Sequence, residues 1–170
     1  MPAKKSESER RTVNAVLSER PKVKVQPTAG YSGTPLAKKL GVKDGQRTWR
    51  AKMPDRVAAE IADLGVAPVL MKAPAAGLEM AHIFVTQRGE LAAHLQTLRR
   101  LLAQDGVIWV SWPKKTVPKG VTAIPSDVTE DTVREICLPL GLVDVKVCAV
   151  DAVWSGLKLV IRKGERAKEL

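Results

Sequence analysis

Cysteine is scarce in this chain: Cys137 and Cys148 are the only two among 170 residues, each inside an apolar run and with no C-x-x-C spacing. That excludes a disulfide framework and a cysteine-rich zinc site, and it predicts two buried thiols in a reducing compartment. Histidine is equally sparse, with His82 and His94 alone, and neither has Cys, Asp or Glu at metal-ligand spacing. Aromatics make up 4% of the residues, with one Tyr and one Phe, too few for the stacking signature of an RNA-binding sheet. No run approaches the roughly 18 apolar residues of a membrane span, and the N-terminal residues lack the apolar stretch of a secretory signal. The expected address is therefore cytoplasmic, without a membrane.

Positive charge is what the chain has in excess. Lys and Arg number 28 against 18 Asp and Glu, for a formal net charge of +10, which favours anionic partners without bearing on the fold. Much of it sits at the start. Residues 1–28 carry Lys4, Lys5, Arg10, Arg11, Arg20, Lys22 and Lys24 around few apolar side chains, and so read as a basic, disordered tail. A chain of this size with 45% hydrophobic residues fits one further domain, placed at 29–164, with a short C-terminal tail over 165–170.

Within that domain, strands and helices alternate. Gly30, Tyr31, Ser32, Gly33 and Thr34 form a glycine-spaced loop in which Thr34 caps a short helix over 35–40 and Gly41 stops it. Strands are predicted at 46–53, 66–71, 81–86 and 107–112, and helices at 54–64, 89–103 and 129–140. Leu91, Leu95, Leu98 and Leu102 mark the buried stripe of the middle helix. Asp127 or Thr129 caps the last helix. Trp49 and Trp109 read as core. Two final strands, 143–153 and 157–162, alternate apolar and polar residues across a Trp154-Ser155-Gly156 turn, as an antiparallel hairpin would. The sum is an α/β domain with a mostly parallel, Rossmann-like sheet and a C-terminal antiparallel hairpin.

This element order resembles a degenerate class I S-adenosylmethionine-dependent methyltransferase fold. In such folds the ligand lies across the carboxyl ends of the strands, over a glycine-rich turn and beside a carboxylate that holds the ribose. Here the first strand runs into Lys52-Met53-Pro54-Asp55-Arg56 with no glycine, and the second ends at Lys72 instead of an acid. A cationic sulfonium matches a lysine-lined crevice poorly, so no cofactor is expected, S-adenosylmethionine entering only under the alternative of an active methyltransferase. No Ser stands in a G-x-S-x-G turn and both cysteines occupy core-like positions, which points away from nucleophilic catalysis.

Lys52, Lys72, Lys114 and Lys115 fall at or just past the carboxyl ends of predicted parallel strands, with Asp55 in the first turn of the following helix and Trp112 beside the lysine pair. Together they form a candidate anion site, with the 30–34 loop as a second place where backbone N–H groups could meet a phosphate. The bland alternative is that the lysines are a solvated rim, the loop a simple helix lead-in and Trp112 a packing residue. The expected function is thus a non-enzymatic binding or regulatory module for a phosphate-bearing ligand. A further alternative is nonspecific nucleic-acid binding through residues 1–24.

Gly30-Tyr31-Ser32-Gly33-Thr34-Pro35-Leu36-Ala37-Lys38-Lys39-Leu40-Gly41, Trp109-Val110-Ser111-Trp112-Pro113-Lys114-Lys115 and Val143-Asp144-Val145-Lys146-Val147-Cys148-Ala149-Val150-Asp151 resemble an uncharacterised bacterial family, the domain of unknown function number 3052. The likeness continues through Val153-Trp154-Ser155-Gly156-Leu157-Lys158-Leu159-Val160-Ile161-Arg162. It implies a small bacterial cytoplasmic protein and carries no activity or site residue with it.

Overall fold

The computed structural model describes residues 33–166, so the predicted basic tail, Gly30, Tyr31, Ser32 and residues 167–170 lie outside the described residues. The first helix, α1 (Leu36–Leu40), buries Leu36, Ala37 and Leu40 and ends on Gly41, whose φ of 77° is the left-handed stop that glycine adopts without cost. Pro35 rather than Thr34 occupies its N-cap position, so the cap residue itself supplies no side-chain hydrogen bond. Then come β1 (Arg47–Ala51), α2 (Asp55–Ala62), β2 (Val69–Leu70), β3 (Leu78–Phe84), α3 (Arg88–Leu101), β4 (Leu102–Pro113), α4 (Glu130–Cys137), β5 (Leu142–Ala149) and β6 (Trp154–Ile161).

These strands form one six-stranded sheet in the order β2-β1-β3-β4-β6-β5. β2, β1, β3 and β4 are mutually parallel, while β6 runs antiparallel to both β4 and β5. A chain that moves outward from β1 to β2 and returns to β3 on the other side makes a topological switch point between β1 and β3. Four strands thus follow the doubly wound pattern, but no outer strand covers β2 among the described residues. The hairpin closes the opposite side.

Side-chain alternation along the strands feeds two cores. One face of the sheet, with Ala81, Ile83, Ile108, Val110 and Trp112, packs on the leucine stripe of α3 and on Val133 and Cys137 of α4. The other, with Met80, Phe84 and Trp109, packs on α1, Val57 and Ile61 of α2, and the hairpin residues Val150, Val153 and Trp154. Trp109 is fully buried and donates from Nε1 to the Leu40 carbonyl at 2.9 Å, so one indole both fills the second core and anchors the end of α1. Both cysteines are free thiols; Cys137 is buried and Cys148 half-buried.

Several boundaries differ from the sequence expectation for identifiable reasons. α3 passes straight into β4: Leu102 already pairs with Leu78, and the chain then bulges until Val107 meets Met80. Gly106 sits in that bulge because a Cβ there would lie 2.8 Å from Leu102 Cδ1. β3 begins at Leu78, which puts His82 within the strand and not at its start. The hairpin turn is at 150–153, and Trp154-Ser155-Gly156 belong to β6. Asp151 makes that turn by accepting the Val153 and Trp154 amides on Oδ1, each at 2.8 Å. Gly156 is favoured by packing: a Cβ would stand a tight 3.0 Å from Val150 Cγ2 and 3.3 Å from the Trp109 ring. β5 breaks its own alternation with a register shift between Asp144 and Lys146, which leaves Val145 and Val147 exposed. Of the two proposed caps, Thr129 closes a reciprocal capping box with Thr132 on α4, whereas Asp127 caps α3 by accepting the Arg88 amide at 2.7 Å.

Candidate ligand-binding edge of the sheet

The carboxyl ends of β2, β1, β3 and β4 align along one edge and carry most of the residues singled out from sequence. At the switch point β1 gives way to Lys52, whose φ of 58° makes it the only described non-glycine residue with positive φ. An L side chain in that conformation costs roughly 1–2 kcal/mol, so the turn keeps a glycine-type backbone without a glycine. The Lys52 ammonium crosses to α3 and pairs with Glu90 at 2.7 Å. Partial burial opposes ionisation of Glu90, but the Lys52 ammonium and the Thr86 N–H prevail and hold its carboxyl below the usual range. Burial pulls His94, one turn further along α3, below the usual histidine range, and its ring stands 5.7 Å from that of Trp49. Trp49 is half-buried, less enclosed than a core reading implies.

Lys72 follows β2 and is exposed; Lys114 follows β4 and is half-buried; Lys115 is exposed beside it. Three strand spacings separate the ends of β2 and β4, about 14 Å. The four lysines therefore span the edge instead of closing on one small anion, and Lys52 is already engaged by Glu90. Asp55 stands in the first turn of α2. Trp112 is buried in the core against the α3 and α4 face, which leaves no open ring for stacking. Trp154 likewise packs edge-on against Phe84, with centroids 5.0 Å apart. In the predicted loop, Gly33 has a φ of 83°, and Thr34 leads into α1.

Lys114 and Lys115 line a cleft of about 300 Å³ with Pro113, Ile124, Ser126 and Val128. Burial pulls the Lys114 ammonium below the ordinary lysine range; Asp151 opposes the drop and Lys39 adds to it. Beside it the hairpin turn is tied down by charge. Asp151 Oδ2 accepts from Arg56 Nε at 2.8 Å, Lys39 Nζ donates to the Ala149 carbonyl at 2.9 Å, and the Lys114 amide donates to the Val153 carbonyl at 2.7 Å. Sequence spacing gave no sign of this cluster, because α1, α2, β4 and the hairpin turn meet only in the folded chain.

Beneath the edge lies a buried polar pair. His82 Nε2 and Ser111 Oγ are 2.8 Å apart, the imidazole is stacked on Phe84 at 4.5 Å, and both polar residues are essentially inaccessible. Burial, assisted by the nearby Arg50 charge, pushes His82 down to about 3, so the ring is neutral at any physiological pH. It packs as a core side chain. Burial also raises both thiols, Cys137 to about 11, which makes neither a ready nucleophile. Among the described residues no group of three or more His, Cys, Asp and Glu could hold a metal ion, and no helix is long and apolar enough to cross a membrane.

Comparison with known proteins bears on the fold. No family model matches the chain, and no curated protein does. Among solved structures, it is similar to a SAM-dependent methyltransferase from Aquifex aeolicus, at a TM-score of 0.52 and 14% identity over 73% of this chain and 86% of that one. It is also similar to the CcbJ methyltransferase from Streptomyces caelestis, at a TM-score of 0.51 and 9% identity over 75% of this chain and 94% of that one. The protein has the α/β fold of the class I S-adenosylmethionine-dependent methyltransferases, and identities this low speak for fold alone.

The residues at the switch point do not fit the usual cradle for S-adenosylmethionine. Lys52 carries its Cβ where close approach of a ligand to the backbone calls for glycine, and the loop after β2 presents Lys72 where a ribose would need a carboxylate.

Proposed function

We propose that this chain is a ligand-binding protein of the methyltransferase fold that takes a phosphate-bearing anion at the carboxyl edge of its sheet, in the cleft beside Lys114 and Lys115. The observation that carries this is Lys114 itself. Its ammonium is half-buried, desolvated and without a hydrogen-bond or ion-pair partner among the described residues, and it lines an open cleft. An anion would relieve that desolvation, and Lys115 would add a second charge. The position agrees with the rule that open α/β sheets bind ligands outside their strand carboxyl ends.

Thermal-shift titration with adenosine monophosphate, coenzyme A and glucose 6-phosphate tests it, since a ligand that prefers the native state raises Tm by mass action. A rise in the wild type that disappears in a folded Lys114→Glu, Lys115→Glu variant is expected. A rise of equal size in that variant, or none with any of the three, would sink the assignment.

A second function, S-adenosylmethionine-dependent methyl transfer, is favoured by one specific observation: the fold is similar to that of methyltransferases, and the turn at Lys52 keeps a glycine-type backbone. The fold likeness supports this second function more directly than the first. Against it stand the Lys52 side chain and the missing carboxylate after β2, and no transfer step follows from the residues present. Calorimetric titration with S-adenosylmethionine and S-adenosylhomocysteine separates the two: saturable binding of either would move the assignment to a cofactor site, and its absence would leave the anion cleft.

A further inference from the structure

A separate groove lies at the open side of the sheet, between α2 and the β1–β2 pair, and shares no lining residue with the Lys114 cleft. Its volume is about 240 Å³. Its walls are apolar: Ala58 and Ile61 from α2, Val66 and Pro68 from the approach to β2, and Leu70 from β2 itself. The one charged group lining it is Arg50 of β1. The groove stays open because no further strand covers β2 among the described residues, which leaves Val69 52% and Leu70 57% exposed.

Arg50 is out of place in purely structural terms. It is half-buried on the α2 face of the sheet, directly beside His82 of β3. No described residue forms an ion pair or hydrogen bond with its guanidinium, unlike Arg56, Arg88 and Arg134, which all hold carboxylates. Burial is the sole influence on its protonation, which means no carboxylate nearby offsets the cost of enclosing the charge. A guanidinium presents a planar fork of donors matched to a carboxylate, so an unpaired one on an apolar wall leaves a strong donor set unused.

We propose that this groove binds a small monocarboxylate with an unbranched or singly branched apolar tail, its carboxylate on the Arg50 guanidinium and its tail against Ile61, Val66 and Leu70. At the roughly 30 Å³ that one water takes up in the liquid, 240 Å³ is on the order of eight water-sized positions, matching the eight or so non-hydrogen atoms of hexanoate. Charge selects the head group and the apolar walls select the tail, the division of labour usual in small-molecule sites.

Hexanoate is the probe, followed by amide chemical shifts on the ¹⁵N-labelled full chain, with 1-hexanol as the uncharged control. Saturable shifts at Ala58, Ile61 and Leu70 are expected with hexanoate and much weaker ones with hexanol. Arg50→Met keeps an apolar stem without the charge and should weaken hexanoate about tenfold or more while leaving the hexanol response unchanged. Without ligand the same variant should unfold at the wild-type temperature or above it, because it removes an unpaired, half-buried charge; a purely structural arginine would lower it. Ala62 of α2 also lines the groove, so Ala62→Leu, which leaves Arg50 in place and fills that space, should also abolish the shifts. The proposal is overturned if hexanoate gives no saturable shifts, if they map elsewhere, or if either folded variant binds it as the wild type does.

Discussion

Acid should destabilise this protein through one buried imidazole. His82 stands against Phe84, Trp109 and Ser111, Arg50 is the charge that acts on it, and burial holds it neutral down to about pH 3. In the unfolded chain an ordinary histidine takes up its proton near pH 6.5. Between those values the unfolded state binds one more proton than the folded state, so stability falls as pH falls, by about 1.4 kcal/mol per unit. Stability from this group is complete above about pH 6.5 and drains away toward pH 3. From pH 7 to pH 4.5 the loss comes to roughly 3 kcal/mol, a large part of the 5–15 kcal/mol typical of a domain. Urea unfolding followed by tryptophan fluorescence at both pH values measures it, with His82→Leu as reference. Carboxylates such as Glu60 and Glu90 titrate in both proteins and cancel in the difference. The Ser111 hydroxyl left unpaired by the variant lowers its stability by a constant amount. The stability advantage of wild type over variant should therefore shrink by roughly 3 kcal/mol on acidification. Parallel pH profiles for the two proteins would refute a neutral, desolvated His82.

Two further outcomes follow from backbone geometry. Gly156→Ala should lower stability by about 1–3 kcal/mol, read from the urea midpoint, because the new Cβ meets Val150 at 3.0 Å and a Trp109 ring that its bond to Leu40 holds in place; an unchanged midpoint would show that the hairpin yields. Lys52→Gly should change stability by less than about 1 kcal/mol, since relief of a left-handed cost of roughly 1–2 kcal/mol is offset by loss of the pair with the partly enclosed Glu90 and by the greater freedom of glycine in the unfolded chain; a larger loss would mean that the Glu90 bridge holds the switch point together.

Strand and helix identity was legible in the sequence because it depends on local periodicity. The leucine stripe of α3 and the apolar run from Val107 to Trp112 each imply one element whatever surrounds them. The hairpin was legible in kind but not in register. Its turn depends on Asp151 accepting two amides, and Gly156, which looks like a turn residue, is a strand glycine packed closely against Val150 and Trp109. β5 shows the same limit: its Val-x-Val-x-Val pattern promised a buried face, yet a bulge and an edge position leave Val145 and Val147 in solvent.

For the site, the sequence by itself determined which residues stand at the carboxyl ends of the strands, since that needs only the order of elements: Lys52, Lys72, Lys114 and Lys115 are all on that edge. Tertiary structure alone decided what each one meets. Lys52 finds Glu90, Lys114 remains unpaired beside a cleft, and Lys72 stands three strands away from it. Arg50 carried no sequence signal at all, because an arginine in a strand is ordinary until the sheet order leaves it enclosed without a counter-charge. Local pattern sets which way a side chain points along its own element, whereas a binding site depends on distances between elements, and those exist only once the sheet is assembled.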